Sequence, residues 1–208
     1  MSQSGKFISL EGGEGAGKST QVRALAKALR ERGIEVVETR EPGGSDGAER
    51  IRELLLTGPD DRWSPRAEAL LFAAARTDHV DKVIRPALQA GKWVLSDRFI
   101  DSSLAYQGGA GALGIEAVRT VNAFGIGDGF PDRTLVLTLD EGADRARARD
   151  ADGSDRIGGR SDDYHRKVLA AFQIVAAEEP QRVRLVDASG PPEDVTRRLL
   201  GAIEDLLS

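Results

Sequence analysis

The 208-residue chain contains no cysteine, a single methionine and few aromatic residues, 5% in all. Without thiols it has no disulfide framework and no thiolate metal site, which is compatible with a reducing cytosol. No apolar run is long enough to span a bilayer, and the opening Met1-Ser2-Gln3-Ser4-Gly5 lacks the basic and apolar segments of a signal peptide. The sequence therefore reads as cytoplasmic, with no membrane partner. Positive charge is not in excess either: 29 basic against 34 acidic residues give a formal charge of −5, so the chain offers no basic face to nucleic acid. Any anion has to be gripped locally. No internal repeat or long linker divides the chain, which reads as one domain over residues 1–208.

What the sequence does have is glycine in a telling place. Gly12, Gly13, Glu14, Gly15, Ala16, Gly17, Lys18 and Ser19 form a complete G-x-x-x-x-G-K-S phosphate loop, between the apolar run Phe7-Ile8-Ser9-Leu10 and the helical stretch Thr20 to Arg32. Its backbone N–H groups curl inward onto phosphate oxygens, and the helix that follows adds its positive end. In this motif Lys18 reaches the β- and γ-phosphates and Ser19 a Mg²⁺ ion, with Thr20 completing the nucleotide-binding stretch. A nucleoside triphosphate is the implied ligand.

Short β-rich runs at Lys6 to Leu10, Ile34 to Thr39, Lys92 to Ser96, Thr134 to Leu139 and Arg182 to Val186 alternate with helical patterns, which predicts an α/β fold with a five-stranded parallel sheet. Val22, Leu25, Ala26 and Leu29 recur at helical spacing ahead of Gly33, a helix-ending glycine. Further helices are predicted at Ala48 to Leu56, Pro65 to Ala90, Ile115 to Phe124, Asp162 to Glu178 and Pro192 to Leu207.

Residues 140–163 break the alternation. Arginine, aspartate and glycine crowd together and Ile157 is the single large apolar residue, so the segment is expected to lie outside the core. It is a solvated helix and loop, or an arginine-bearing lid that closes over anions and excludes water. A second constellation is Lys92-Trp93-Val94-Leu95-Ser96-Asp97-Arg98, a strand ending in a carboxylate and a guanidinium. Such strand ends face the ligand crevice. Asp97 suits a Mg²⁺-holding carboxylate, or caps the next helix, while Arg98 can fork onto a phosphate.

With these motifs the chain resembles the bacterial thymidylate kinases along nearly its whole length. Glu11 to Thr20, Thr39-Arg40-Glu41-Pro42-Gly43-Gly44, Leu71-Phe72-Ala73-Ala74-Ala75-Arg76, Asp97-Arg98-Phe99 through Ser103, Tyr106, Gln107 and Gly108, and Arg145-Ala146-Arg147-Ala148-Arg149 carry the resemblance. It implies a P-loop kinase fold with an arginine-rich lid at about residues 141–163, ATP and dTMP as substrates, Mg²⁺ as cofactor, and a homodimer. It also implies site roles. Phe72 matches a platform for the thymine ring and Arg76 a donor to a thymine carbonyl, whereas Phe72 read alone is ordinary core. Ser103 and Gln107 match positions at the base edge and Tyr106 one beside the sugar's 2′ carbon; read alone, all three lie on the solvent face of a helix start. Glu14 matches an acid that accepts from the 3′-hydroxyl, and a carboxylate inside a phosphate loop needs such a partner. Glu41, Arg52 and Arg98 match the surroundings of the monophosphate, while Arg40 either joins them or forms a salt bridge that shapes its loop.

The family divides on where it keeps the catalytic arginine. The variable loop positions here, Gly13, Glu14, Gly15 and Ala16, hold no cation, so the resemblance is to the subgroup whose lid supplies it, with Arg149 at the phosphate-bridging position. Lys18, Arg98, Arg149 and Glu14 are accordingly the expected catalytic set. Arg149→Ala is expected to lower kcat by on the order of 10³. Arg156 and Arg160 are read as solvated loop, and His79 and His165 receive no role. Two rivals remain: another nucleoside monophosphate or deoxynucleoside kinase, which an acceptor panel separates, and a nucleotide-switch ATPase, against which the absent Asn-Lys-x-Asp motif and the missing early lysine of partition ATPases both speak.

Overall fold

The structure, a computed structural model, describes residues 5–139 and 156–207. Five parallel strands, β1 (Phe7–Gly12), β2 (Val36–Arg40), β3 (Trp93–Asp97), β4 (Arg133–Thr138) and β5 (Val183–Asp187), form one sheet in the order β2-β3-β1-β4-β5. Sequence and structure agree on the strand count and direction. The three central strands, β1, β3 and β4, bury both faces, and side-chain alternation sorts their residues, while the edge strands β2 and β5 are more open. Ile8 and Leu10 of β1, Leu95 of β3 and Leu135 and Leu137 of β4 meet α1 (Lys18–Arg30) on one side. Phe7, Val94 and Val136 meet a second layer, built by helices that follow β2 and β3 and by the helix before β5.

That second layer contains α2 (Asp46–Leu56), α3 (Pro65–His79), α4 (Arg85–Gln89), α5 (Ile100–Ser103), α6 (Ile115–Ile126) and α7 (Asp162–Glu178), while α8 (Pro192–Ala202) returns to the α1 side. Serine caps open three of them: Ser45, Ser64 and Ser161 accept from the N–H groups of Ala48, Ala67 and Tyr164. The single helix predicted from Pro65 to Ala90 is continuous but not uniform. Pro86 has no N–H to give Lys82, and the turn before it, Val80–Ile84, widens to π winding, with Arg85 N–H reaching back to Val80 O.

The helix start read at Ser103 to Gln107 is part of a longer helical stretch, which runs through α5 and continues as a π-wound segment, Leu104–Ala110. Ile100, Leu104, Ala105 and Tyr106 are all buried, so no polar face marks its period, and Ser103, Tyr106 and Gln107 do not lie on a solvent face. The predicted C-terminal helix stops at Ala202 and ends in a 3₁₀ turn, Glu204–Leu206.

The segment read as excluded from the core needs correcting at its end. Ile157 is 6% exposed and belongs to the cluster around Phe99 and Phe172, and Arg156 is 5% exposed rather than solvated. Arg156 donates to Leu55 O, Asp60 O and Glu68, which repays the burial of its charge and drags Ile157 inward. Arg145, Arg147 and Arg149 lie outside the described residues, as does most of the expected lid.

Candidate functional site

The carboxyl edge of the sheet puts the ends of β1, β2 and β3 side by side, with Leu10 in register with Asp97 and Asp97 with Arg40. The phosphate loop leaves β1 through Gly12, whose φ of 135° and approach to Leu137 O, 2.5 Å from where a Cβ would sit, admit no side chain. The loop then wraps Lys18, whose Nζ donates to Gly13 O at 2.7 Å and Gly12 O at 3.3 Å. Burial, helped by the neighbouring Arg98 guanidinium, pulls the Lys18 ammonium down to about 8.

Arg98 follows β3 in a left-handed conformation, φ 70°. That backbone is clamped: its N–H donates to Leu10 O at 2.9 Å, its C=O accepts from Ser96 Oγ at 2.6 Å, and the next N–H, of Phe99, donates to Glu11 Oε1 at 2.7 Å. The clamp aims the guanidinium at Glu14 (2.5 Å), with Ser102 Oγ and Tyr106 OH near 3.2 and 3.3 Å. Glu14 thus has the partner its position demanded. Burial works to raise it, but Arg98 and then Lys18 outweigh this and bring the carboxyl down to about 2. Glu11, beneath them, is fully buried, and desolvation with the nearby Asp101 raises it to about 8.

Across the cavity α3 presents Phe72, half-buried, and Arg76, 2% exposed. Arg76 donates from Nε to Glu41 (2.8 Å), from Nη1 to Ser103 Oγ (3.0 Å) and Asn122 Oδ1 (2.5 Å), and from Nη2 to Phe99 O (3.0 Å). Arginine has one N–H on Nε and two on each terminal nitrogen, so a single Nη2 N–H is left over. Glu41 is held between Arg76 and His79, whose Nε2 meets Thr39 Oγ1 at 2.7 Å. Gly44, at φ 91°, leaves just enough room for that imidazole, because a Cβ there would stand 2.4 Å from Nε2. Arg40 forms the loop-shaping salt bridge, pairing with Glu49 at 3.1 Å while Glu49 takes the Gly44 N–H, and it also lines the cavity. Arg52 donates to Pro42 O at 2.6 Å.

One cavity of about 540 Å³ joins the two halves, lined by Glu14, Gly15, Gly17, Lys18, Ser19 and Thr20 at one end and by Phe72, Arg76, Ser103, Tyr106 and Gln107 at the other, with Glu41, Arg52, Asp97 and Arg98 between. Gly12, Gly13 and the buried Ala16 shape the loop behind this wall, and of the predicted site residues Arg149 alone is outside the described residues. Ser19 Oγ donates to Asp97 Oδ2 in a short contact beside the phosphate loop. Among the described residues no group of three or more acidic or histidine side chains gathers for a metal. A hydroxyl and one carboxylate beside a phosphate loop fit Mg²⁺, which takes few protein oxygens and draws the rest of its shell from phosphate and water.

The sequence reading missed Glu11, Ser102, His79, Asn122 and Glu68. A signal existed for Glu68: it precedes Phe72 and Arg76 by four and eight residues on one helix, the same face. His79 lies three beyond Arg76, while Glu11 shares a strand face with Ser9.

The thymidylate kinase family model matches residues 10–199. A thymidylate kinase of Rhizorhabdus wittichii is 58% identical over 205 residues, covering 98% of this chain and 99% of the relative, and one of Rhodopseudomonas palustris is 47% identical, covering 96% and 88%. The crystal structure of thymidylate kinase from Ehrlichia chaffeensis superposes with a TM-score of 0.77 at 30% identity, covering 96% of this chain and 98% of that one. Motif, fold and likeness over almost every residue agree, and the chain belongs to the thymidylate kinase family.

Proposed function

We propose that this enzyme transfers the γ-phosphoryl group of ATP to the 5′-phosphate of dTMP, giving ADP and dTDP, in the cytoplasm. The observation that carries the reading is the single cavity that brings a phosphate loop and the Phe72–Arg76–Gln107 wall to opposite sides of Arg98. The acceptor oxygen is already ionised near neutral pH, so no side chain need remove a proton, and the work reduces to alignment and charge neutralisation.

Lys18 grips the donor's β- and γ-phosphates and Arg98 the acceptor phosphate. Glu14, fixed by Arg98, accepts from the 3′-hydroxyl, and the buried Tyr106 ring closes the space beside the 2′ carbon against a hydroxyl. Thymine stacks on Phe72, with the remaining Arg76 Nη2 N–H directed to its C4 carbonyl and Ser103 and Gln107 along its edge. Glu41 holds Arg76, and Arg52 stabilises the loop through Pro42. Ser19 and Asp97 would hold Mg²⁺, which when bound supplies charge neutralisation between phosphates. Arg149 is the lid arginine of this scheme.

Assembly as a homodimer belongs to the same proposal. Leu54 (40% exposed), Leu70 (57%) and Phe124 (96%) stand out from α2, α3 and α6, which pack side by side and leave these apolar side chains for a second copy. A coupled ADP-release assay across dTMP, dUMP, dCMP, AMP and thymidine, with and without Mg²⁺, tests the activity. Mg²⁺-dependent turnover highest with dTMP is expected; preference for thymidine, or turnover that needs no acceptor, overturns it.

A further inference from the structure

Glu68 lies behind the base wall, 3% exposed, one turn before Phe72 on α3. Its Oε2 accepts from Arg156 Nη2 at 2.6 Å and Arg160 Nη2 at 2.7 Å, and its Oε1 from Gln107 Nε2 at 3.0 Å. A carboxylate set against two guanidinium groups can only accept hydrogen bonds. The orientation of the Gln107 amide therefore follows from chemistry and not from the placement of two similar atoms: its NH₂ must face Glu68. The amide oxygen is left for the cavity that Gln107 lines.

We infer that Glu68 is a specificity-determining positioning residue, which by holding the Gln107 NH₂ presents an acceptor to the base and so selects a pyrimidine that donates at N3 over one that accepts there. Thymine carries N3–H beside a C4 carbonyl; cytosine carries a bare N3 beside an amino group. With Arg76 offering a donor and Gln107 an acceptor, thymine satisfies both, whereas cytosine sets acceptor against acceptor and donor against donor. A site built on buried hydrogen-bonding groups rejects a mismatched analogue because those groups lose their partners. The inference rests on the base pocket of the proposed function and adds the group that gives that pocket its polarity.

The same carboxylate anchors the segment carrying Arg156 and Arg160, and this separates the readouts. Loosening that segment slows turnover of every acceptor alike, while releasing Gln107 changes the ratio of kcat/KM for dTMP to that for dCMP. In Glu68→Gln a neutral amide can donate as well as accept, so Gln107 is free to turn over. The ratio is expected to fall about tenfold or more, whatever the common loss in rate. Adding Gln107→Glu restores an acceptor in either orientation, and the ratio should return to within about threefold of the starting enzyme. A cooperatively melting Glu68→Gln enzyme whose ratio stays within about twofold of wild type overturns the inference. Should that variant fail to fold, the unaltered protein decides: slow solvent exchange of the Gln107 side-chain amide protons supports the contact, and rapid exchange overturns it. Gln107→Leu distinguishes the two levels. If that variant keeps the wild-type ratio the base pocket itself is wrong; if it loses the ratio while Glu68→Gln keeps it, only the role of Glu68 falls.

Discussion

Arg98→Met isolates the central charge of the site. The side chain is 16% exposed and its terminal nitrogens touch Glu14, Ser102, Tyr106 and the Gly12 carbonyl, yet its backbone is fixed independently by Leu10, Ser96 and the Glu11–Phe99 contact. Met keeps the stem and removes the fork, so two effects separate. Loss of a charged donor from the acceptor phosphate should lower kcat/KM by on the order of 10³. Leaving the Glu14 carboxylate without its main partner should cost about 1–3 kcal/mol of stability, reduced because Glu14 is partly solvated. The double variant with Glu14→Gln should recover that stability without recovering activity. Coupled ADP release and urea unfolding measure the two, and Arg98→Lys, a point charge without the fork, should fall between wild type and Met in rate. Arg98→Met within about threefold of wild-type kcat/KM would refute the phosphate contact. Activity restored by the double variant would show that Arg98 serves only to neutralise Glu14.

Phe72→Ala should raise KM for dTMP by the equivalent of about 1–3 kcal/mol with KM for ATP unchanged, and equal shifts in both would remove the ring from the base site. The Glu14 carboxyl is held at about 2 instead of 4.5, so its contribution is complete above pH 4.5 and is lost as the pH falls toward 2. The shift alone corresponds to roughly 3 kcal/mol, which solvent screening of a side chain 34% exposed reduces to about 1–2. Glu14→Gln should flatten acid unfolding followed by circular dichroism across that window, and parallel curves would contradict the pairing. Phe124→Glu, on a side chain 96% exposed, should leave the melting temperature of the monomer near wild type while sedimentation shows dimers dissociating. A wild type that sediments as a monomer refutes the shared face.

Local chemistry made half of this site readable and hid the rest. The phosphate loop announces itself because glycine spacing and an adjoining strand are contiguous in the chain, and the strands because buried parallel strands are short and apolar. Over residues 100–110 the sequence suggests only a helix start with a solvent face, since a helix buried on all sides and wound widely through Gly108 and Gly109 has no amphipathic period; a Cβ on Gly109 would stand 2.5 Å from Ala171 Cβ. Ile157 has charged neighbours that mark its segment as solvated in the sequence, yet Arg156 is not a free charge. Its partners, Leu55, Asp60 and Glu68, are about a hundred residues away in sequence, 101, 96 and 88. Contacts of that separation leave no trace in spacing, and here they turn a charged segment into core.

Contacts within the protein, local and distant alike, also hold the site in shape before any nucleotide arrives. Arg98, Lys18 and Arg76 would repel one another in a shared cavity, and each is instead bonded to a group of the protein: Arg98 to Glu14, Lys18 to the carbonyls of Gly12 and Gly13, Arg76 to Glu41. Those partners divide into two kinds. Glu41 is 6% exposed and is clasped a second time by His79, so Arg76 is held in place and, under the proposed scheme, offers the base only its spare N–H. Glu14 is more open, and under the proposed scheme it has an alternative partner in the sugar hydroxyl, so a phosphate reaching Arg98 leaves no carboxylate stranded. An exchange of this sort gains little net binding, because one charged contact replaces another, but it requires almost no reordering of Arg98, whose backbone is locked from three sides. Binding energy that is not consumed in ordering the arginine remains for aligning the two nucleotides, where it lowers the barrier instead of deepening the ground state.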